Sequence, residues 1–284
     1  MTEWELSETA DVHAVLADDR FGVRPAEPGA PAGTVAWLRA SVSRFVNGPE
    51  HDRRRALVVA VLDRLDPAEL RAAARDAAVA ELANETVLSD DGALDAEVVG
   101  RLARRLPAVV LARRFGAADP DQVAAAVGAV AAAYFPGADE PAERAADAAT
   151  AELMKLLAGS SPDEAVARIT VLVQGYDATA NLVAAALSLL PTLSADVPTD
   201  RLLDETAYRR PPVPALRRVA RAPAQLGDRA IATGDSVVCA VEPLAAPAGP
   251  AAKALTFGYG LRPCPGPAQA LALAAGVIDA IRQG

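Results

Sequence analysis

The stretch Phe257-Gly258-Tyr259-Gly260-Leu261-Arg262-Pro263-Cys264-Pro265-Gly266 decides the fold, because it sets a cysteine at the mouth of an alanine- and leucine-rich helix running almost to Gly284. A cysteine just ahead of a helix N-terminus meets backbone N–H donors and the positive end of the helix dipole. Both favour the thiolate, the form that ligates iron. Gly260 and Gly266 permit turns and a close approach of backbone to a flat cofactor. Pro265 suits a first helical position, and Arg262 is placed for charge-assisted hydrogen bonds to a carboxylate.

Working outward, Glu242 to Ala252 is a proline- and alanine-rich connector without periodicity. Pro211 to Val241 holds Pro-Pro-Val, Gly-Asp pairs and short apolar runs, which predict strands joined by turns. From Pro67 to Leu190 apolar residues recur three and four apart, predicting helices over Pro67 to Leu88, Ala93 to Phe115, Pro120 to Phe135, Glu140 to Leu157 and Pro162 to Leu190. Pro107 is expected to bend the second of these. Ser161, Pro162 and Glu164 mark the start of the longest as N-cap, first-turn proline and capping-box acid. The expected architecture is mainly α, one domain over residues 1–284, with a small β-sheet region appended.

The chain of 284 residues is 52% hydrophobic but only 4% aromatic, so alanine, valine and leucine supply the apolar surface, which favours helices. A net charge of -9 argues against a nucleic-acid partner, whose phosphates need cations. The two cysteines, Cys239 and Cys264, are too few for a disulfide framework and read as unpaired thiols in a reducing, cytoplasmic setting. Met1-Thr2-Glu3-Trp4-Glu5 carries no signal-like pattern, and the apolar run Ile169 to Leu190 is interrupted by Gln174, Asp177 and Asn181, so no membrane span is expected.

The cysteine stretch resembles the haem loop of the cytochrome P-450 family, Phe-x-x-Gly-x-Arg/His-x-Cys-x-Gly, at every fixed position: Phe257, Gly260, Arg262, Cys264 and Gly266. Further resemblances follow in the family's usual order. Pro49-Glu50-His51-Asp52-Arg53-Arg54-Arg55 is similar to a helix start whose histidine and second basic residue contact haem propionates, implying that role for His51 and Arg55. Arg218, after Pro211-Pro212-Val213, resembles an arginine that reaches a propionate from a strand. Val15-Leu16-Ala17-Asp18-Asp19-Arg20-Phe21 resembles an early family stretch, so the likeness covers nearly the whole chain. It implies a P-450-like helical fold holding haem b (iron protoporphyrin IX) through Cys264.

The pattern also breaks. Gln174-Gly175-Tyr176-Asp177-Ala178-Thr179-Ala180-Asn181 resembles the family's oxygen-activation segment, but Ala178 stands where a threonine hydroxyl is usual. Thr179 points about 100° further round the helix. Asp177 and Thr179 are the candidate proton-handling residues. At Glu205-Thr206-Ala207-Tyr208, Tyr208 replaces the arginine of Glu-x-x-Arg, leaving Arg209 to pair with Glu205. The family's meander is deleted after Val238, and the N-terminal sheet and first helix are expected to be missing, giving a reduced N-terminus.

Two functions follow. One is a haem-thiolate oxidoreductase acting on a small organic substrate, monooxygenase-like or peroxide-using; monooxygenase chemistry would need an external ferredoxin and ferredoxin reductase, since the chain has no flavin or iron–sulfur motif. The other is a retired P-450-like protein that serves as partner or activator of another biosynthetic enzyme.

Overall fold

Most helix starts are set by short caps. The computed structural model describes residues 1–83, 95–194, 196–241 and 255–283. In chain order they form β1 (Glu3–Leu6), α1 (Thr9–Ala17), β2 (Phe21–Gly22), α2 (Val35–Ser41), α3 (Pro49–Leu62), α4 (Pro67–Leu82), α5 (Ala96–Arg114), α6 (Pro120–Ala132), α7 (Glu140–Leu156), α8 (Pro162–Leu189), α9 (Thr199–Arg209), β3 (Ala215–Ala220), β4 (Ala224–Leu226), β5 (Arg229–Ile231), β6 (Ser236–Ala240) and α10 (Pro267–Ile281). Asp66, Asp119 and Asp139 each accept a backbone N–H three residues on, at 3.0, 2.9 and 2.9 Å, ahead of α4, α6 and α7. Caps of this kind contribute about 1 kcal/mol each.

Ser161 caps α8 as expected, accepting from Glu164 N at 3.2 Å. The acid of that box reaches one residue further back, accepting from Ser160 N at 2.9 Å. α6 stops at Ala132 rather than Phe135. Pro136 disfavours a helical residue before it, and Gly137 follows at φ 109°. α5 continues across the buried Pro107. The predicted end of the first helix, to Leu88, lies outside the described residues, as does the Glu242 to Ala252 connector where the meander is expected to be deleted.

The main sheet has the order β1-β6-β3-β2, with β1 parallel to β6 and the other pairs antiparallel; β4 and β5 form a separate hairpin. An N-terminal strand is therefore present, which corrects the expectation of a missing N-terminal sheet. At four residues β1 is too short to show alternation. It is held instead by Asp235, which accepts from Thr2 N at 2.7 Å and Trp4 Nε1 at 3.1 Å. Among the described residues no helix is long and apolar enough to cross a membrane.

Two apolar cores result. The larger fills the space among α2 to α10; the smaller lies under the sheet and takes Val12, Val15 and Leu16 of α1 with Leu6, Val237 and Cys239. Leu255 belongs to the smaller core and Leu273 to the larger. The cysteine loop is the bridge between them.

Candidate cofactor site

Cys264 lies at the start of α10, half-buried, with its N–H donating to Phe257 O at 2.6 Å and so closing the loop. Burial pushes its thiol pKa up; the Gly266 N–H and the charge of Arg55 pull the other way and lose. The expectation that the helix start favours the thiolate thus holds in sign for that N–H but not in the balance. A coordinated thiol is deprotonated outright, so a bound metal would reverse it.

The loop is clasped from several elements. Arg262 Nη2 donates to Ser43 O at 2.8 Å and Val46 O at 2.9 Å, both in the short segment between α2 and α3. Arg55 on α3 donates to Pro263 O at 3.1 Å. Thr256 Oγ1 donates to Ala207 O of α9, tying the loop to the helix whose Glu-x-x-Arg pair is altered. Glu205 pairs instead with Arg209 at 3.1 Å, one turn on. Gly266 is buried at the cap of α10, and Phe257 is half-buried. At Gly260, φ is 68° and an added Cβ would lie 2.3 Å from Leu16 O. The close approach this glycine makes in the structure is to the backbone of α1.

Strand alternation sorts two adjacent arginines. Arg217 faces out and pairs with Glu3 at 2.8 Å; Arg218 faces in, 4% exposed. Arg218 donates to Arg217 O at 2.9 Å. Burial first, and then the charge of Arg44, lowers its pKa. Arg262 is pushed down to about 10 by burial, then by Arg218 and Arg44. His51, 7% exposed, is held below its ordinary value by burial, against the pull of Asp52, whose carboxylate lies 2.8 Å from Nδ1; Arg262 and Arg55 lower it further.

These four expected propionate contacts therefore share one electrostatic neighbourhood. Among the described residues no carboxylate forms an ion pair with Arg44, Arg218 or Arg262. Buried cations are normally paired, and this donor set suits two carboxylates brought by a ligand. The residues present thus fit a porphyrin with two propionates. Arg44 was not found from the sequence. It sits in Ser43-Arg44-Phe45, which carries no motif, and it stacks 5.4 Å over the ring of Phe135.

The two candidate proton carriers are not brought together. Asp177 is 58% exposed and pairs with Arg104 of α5 at 3.3 Å, whereas Thr179 is buried. Two residues along a helix turn by about 200°, so they occupy nearly opposite sides of α8. Gln174, about 60° around α8 from Asp177, donates through Nε2 to the phenol of Tyr134 at 3.0 Å, whose pKa burial raises.

A long α8 within a helical body, a small mixed sheet and a cysteine loop leading into the last helix define the P-450-like helical class. No family model and no curated protein matches the sequence. Solved structures do. CalO2 superposes at a TM-score of 0.75 with 22% identity, covering 99% of this chain and 82% of its own. Substrate-free CYP109E1 from Bacillus megaterium gives 0.73 and 18%, covering 99% and 84%. A thermophilic cytochrome P-450 from Sulfolobus tokodaii gives 0.69 and 18%, covering 99% and 86%. The chain has the cytochrome P-450 fold.

Proposed function

We propose that this protein is a haem-thiolate oxidoreductase acting on a small organic substrate, with Cys264 as the axial ligand of haem b. The carrying observation is a cluster beside the cysteine loop of one buried arginine, Arg218, and two half-buried ones, Arg44 and Arg262, none of which forms an ion pair with a carboxylate among the described residues. His51, Arg55, Arg218 and Arg262 would hold the propionates, and Arg262 and Arg55 already fasten the loop to the backbone around them. The bound haem would supply the oxidising chemistry. From this chain, Asp177 at the solvent edge exchanges protons with water, and Thr179 offers the buried hydroxyl on α8. Electrons for a monooxygenase reaction would come from an external ferredoxin and ferredoxin reductase; peroxide is the other oxidant compatible with Ala178.

The test is the spectrum of the ferrous carbon monoxide complex after purification with haem supplied. A Soret band red-shifted by thiolate, lost in Cys264→Ala and kept in Cys239→Ala, is expected. No haem uptake, or unchanged binding in Cys264→Ala, overturns the proposal and leaves the reading as a partner of another biosynthetic enzyme. If missing proton delivery limits dioxygen use, Ala178→Thr raises the product formed per reductant consumed; an unchanged ratio points to peroxide.

A further inference from the structure

Three successive residues of the cysteine loop lean on one helix. Tyr259 stacks on His13 with ring centroids 4.1 Å apart and planes 20° from parallel. At Gly260 an added Cβ would lie 2.6 Å from the Leu16 carbonyl carbon and 2.8 Å from Ala17 Cα. Leu261 N donates to Leu16 O at 3.1 Å. His13, Leu16 and Ala17 are three and four residues apart and share a side of α1. The helix itself is immobilised, because Val12, Val15 and Leu16 are at most 2% exposed in the smaller core.

We propose that α1 is the ledge that registers the cysteine loop, with His13 and Tyr259 as positioning residues for the Cys264 thiolate; the second part rests on the haem-thiolate reading above. Tyr259 remains 38% exposed, so burial does not account for its position. His13 Nε2 is buried without a hydrogen-bond partner, an unfavourable state for an imidazole nitrogen. The ring is held there by its stack, and a hydrocarbon ring would serve as well. From this ledge the chain reaches Cys264 in three residues, fastened on the way by Arg262 to Ser43 O and Val46 O. If the stack is lost, the loop slackens and the half-buried Sγ becomes more accessible to solvent.

The variants are His13→Ala, Tyr259→Ala, the pair together, and His13→Phe and Tyr259→Phe, which keep a stacked ring. In the full haem-free chain, iodoacetamide alkylation of Cys264 is followed by mass spectrometry, with the sheet-buried Cys239 as internal reference. Loss of one aromatic pair predicts about two- to ten-fold faster alkylation in each alanine variant. The double variant should be no faster than either single, and both phenylalanine variants should match wild type. With haem supplied, the alanine variants should convert part of the red-shifted ferrous carbon monoxide band to the unshifted form. Alanine variants equal to wild type in both measurements overturn the ledge, as do phenylalanine variants as impaired as alanine. Faster alkylation in a chain that takes up no haem supports the ledge while overturning the haem-thiolate reading.

Discussion

Replacing Gly276 by alanine sets two effects against each other. In an open helix the change is favourable by about 1 kcal/mol, because glycine is the poorer helix former. Gly276 lies within α10, where an added Cβ would sit 2.3 Å from Arg71 O and 2.8 Å from both Ala74 Cβ and Arg75 N of α4. Two of those three atoms are backbone of a second helix and cannot rotate aside. The helices must separate by roughly 1 Å to restore ordinary contact at about 3.5 Å, loosening the seam on both sides. Overpacking of this kind costs about 1–3 kcal/mol, and backbone neighbours place it at the upper end. The net expectation is a loss of about 2 kcal/mol, or roughly 4 °C in Tm. Urea unfolding of the haem-free chain followed by circular dichroism measures it. Gly100→Ala is the control, since at that position in α5 the nearest obstacle is the flexible Arg104 Nη1 at 3.5 Å; a gain is expected there. A Gly276→Ala chain as stable as wild type would refute the reasoning.

Three further outcomes are expected. Glu164, bonded first by the Ser160 hydroxyl and then by Ser160 N–H and Arg64, is held at about 2 against an ordinary 4.5; a depressed carboxylate stabilises above its unfolded value and stops doing so as pH falls through its folded one. Glu164→Gln should therefore be less stable than wild type at neutral pH and converge with it between pH 4.5 and about 2 in urea titrations; a gap constant with pH would sink this. Arg218→Met should stabilise the haem-free chain by about 1 kcal/mol, by removing a buried unpaired charge, while weakening haem retention; a loss of stability without haem contradicts the buried-cation account. Thr256→Val removes the hydroxyl given to Ala207 O and should cost about 1–2 kcal/mol of stability, read from the urea midpoint; an unchanged midpoint rules out that tie between loop and α9.

Much of this was legible because it is local. Caps at Asp66, Asp119, Asp139 and Ser161 act over three residues, so the starts of α4, α6, α7 and α8 could be read from neighbours in the chain. The Arg209–Glu205 pair was legible for the same reason. Helix ends were less so: Phe135 looked helical by periodicity, yet Pro136 and Gly137 end α6 at Ala132. β1 escaped notice because four residues are held by a partner more than two hundred positions away. Arg44 escaped because only folding brings its charge to Arg218 and Arg262.

The sequence by itself determined the type of loop around Cys264, the helical body and the identity of the basic residues set near the loop. Tertiary structure alone decided how they act. Pairing with β6 turns Arg218 inward and Arg217 out. Packing against α5 leaves Asp177 with Arg104 at the surface while Thr179 is enclosed. Burial outweighs the helix-start N–H at the Cys264 thiol. Each of these depends on desolvation or on charges far apart in the chain, and both are set by which surfaces meet.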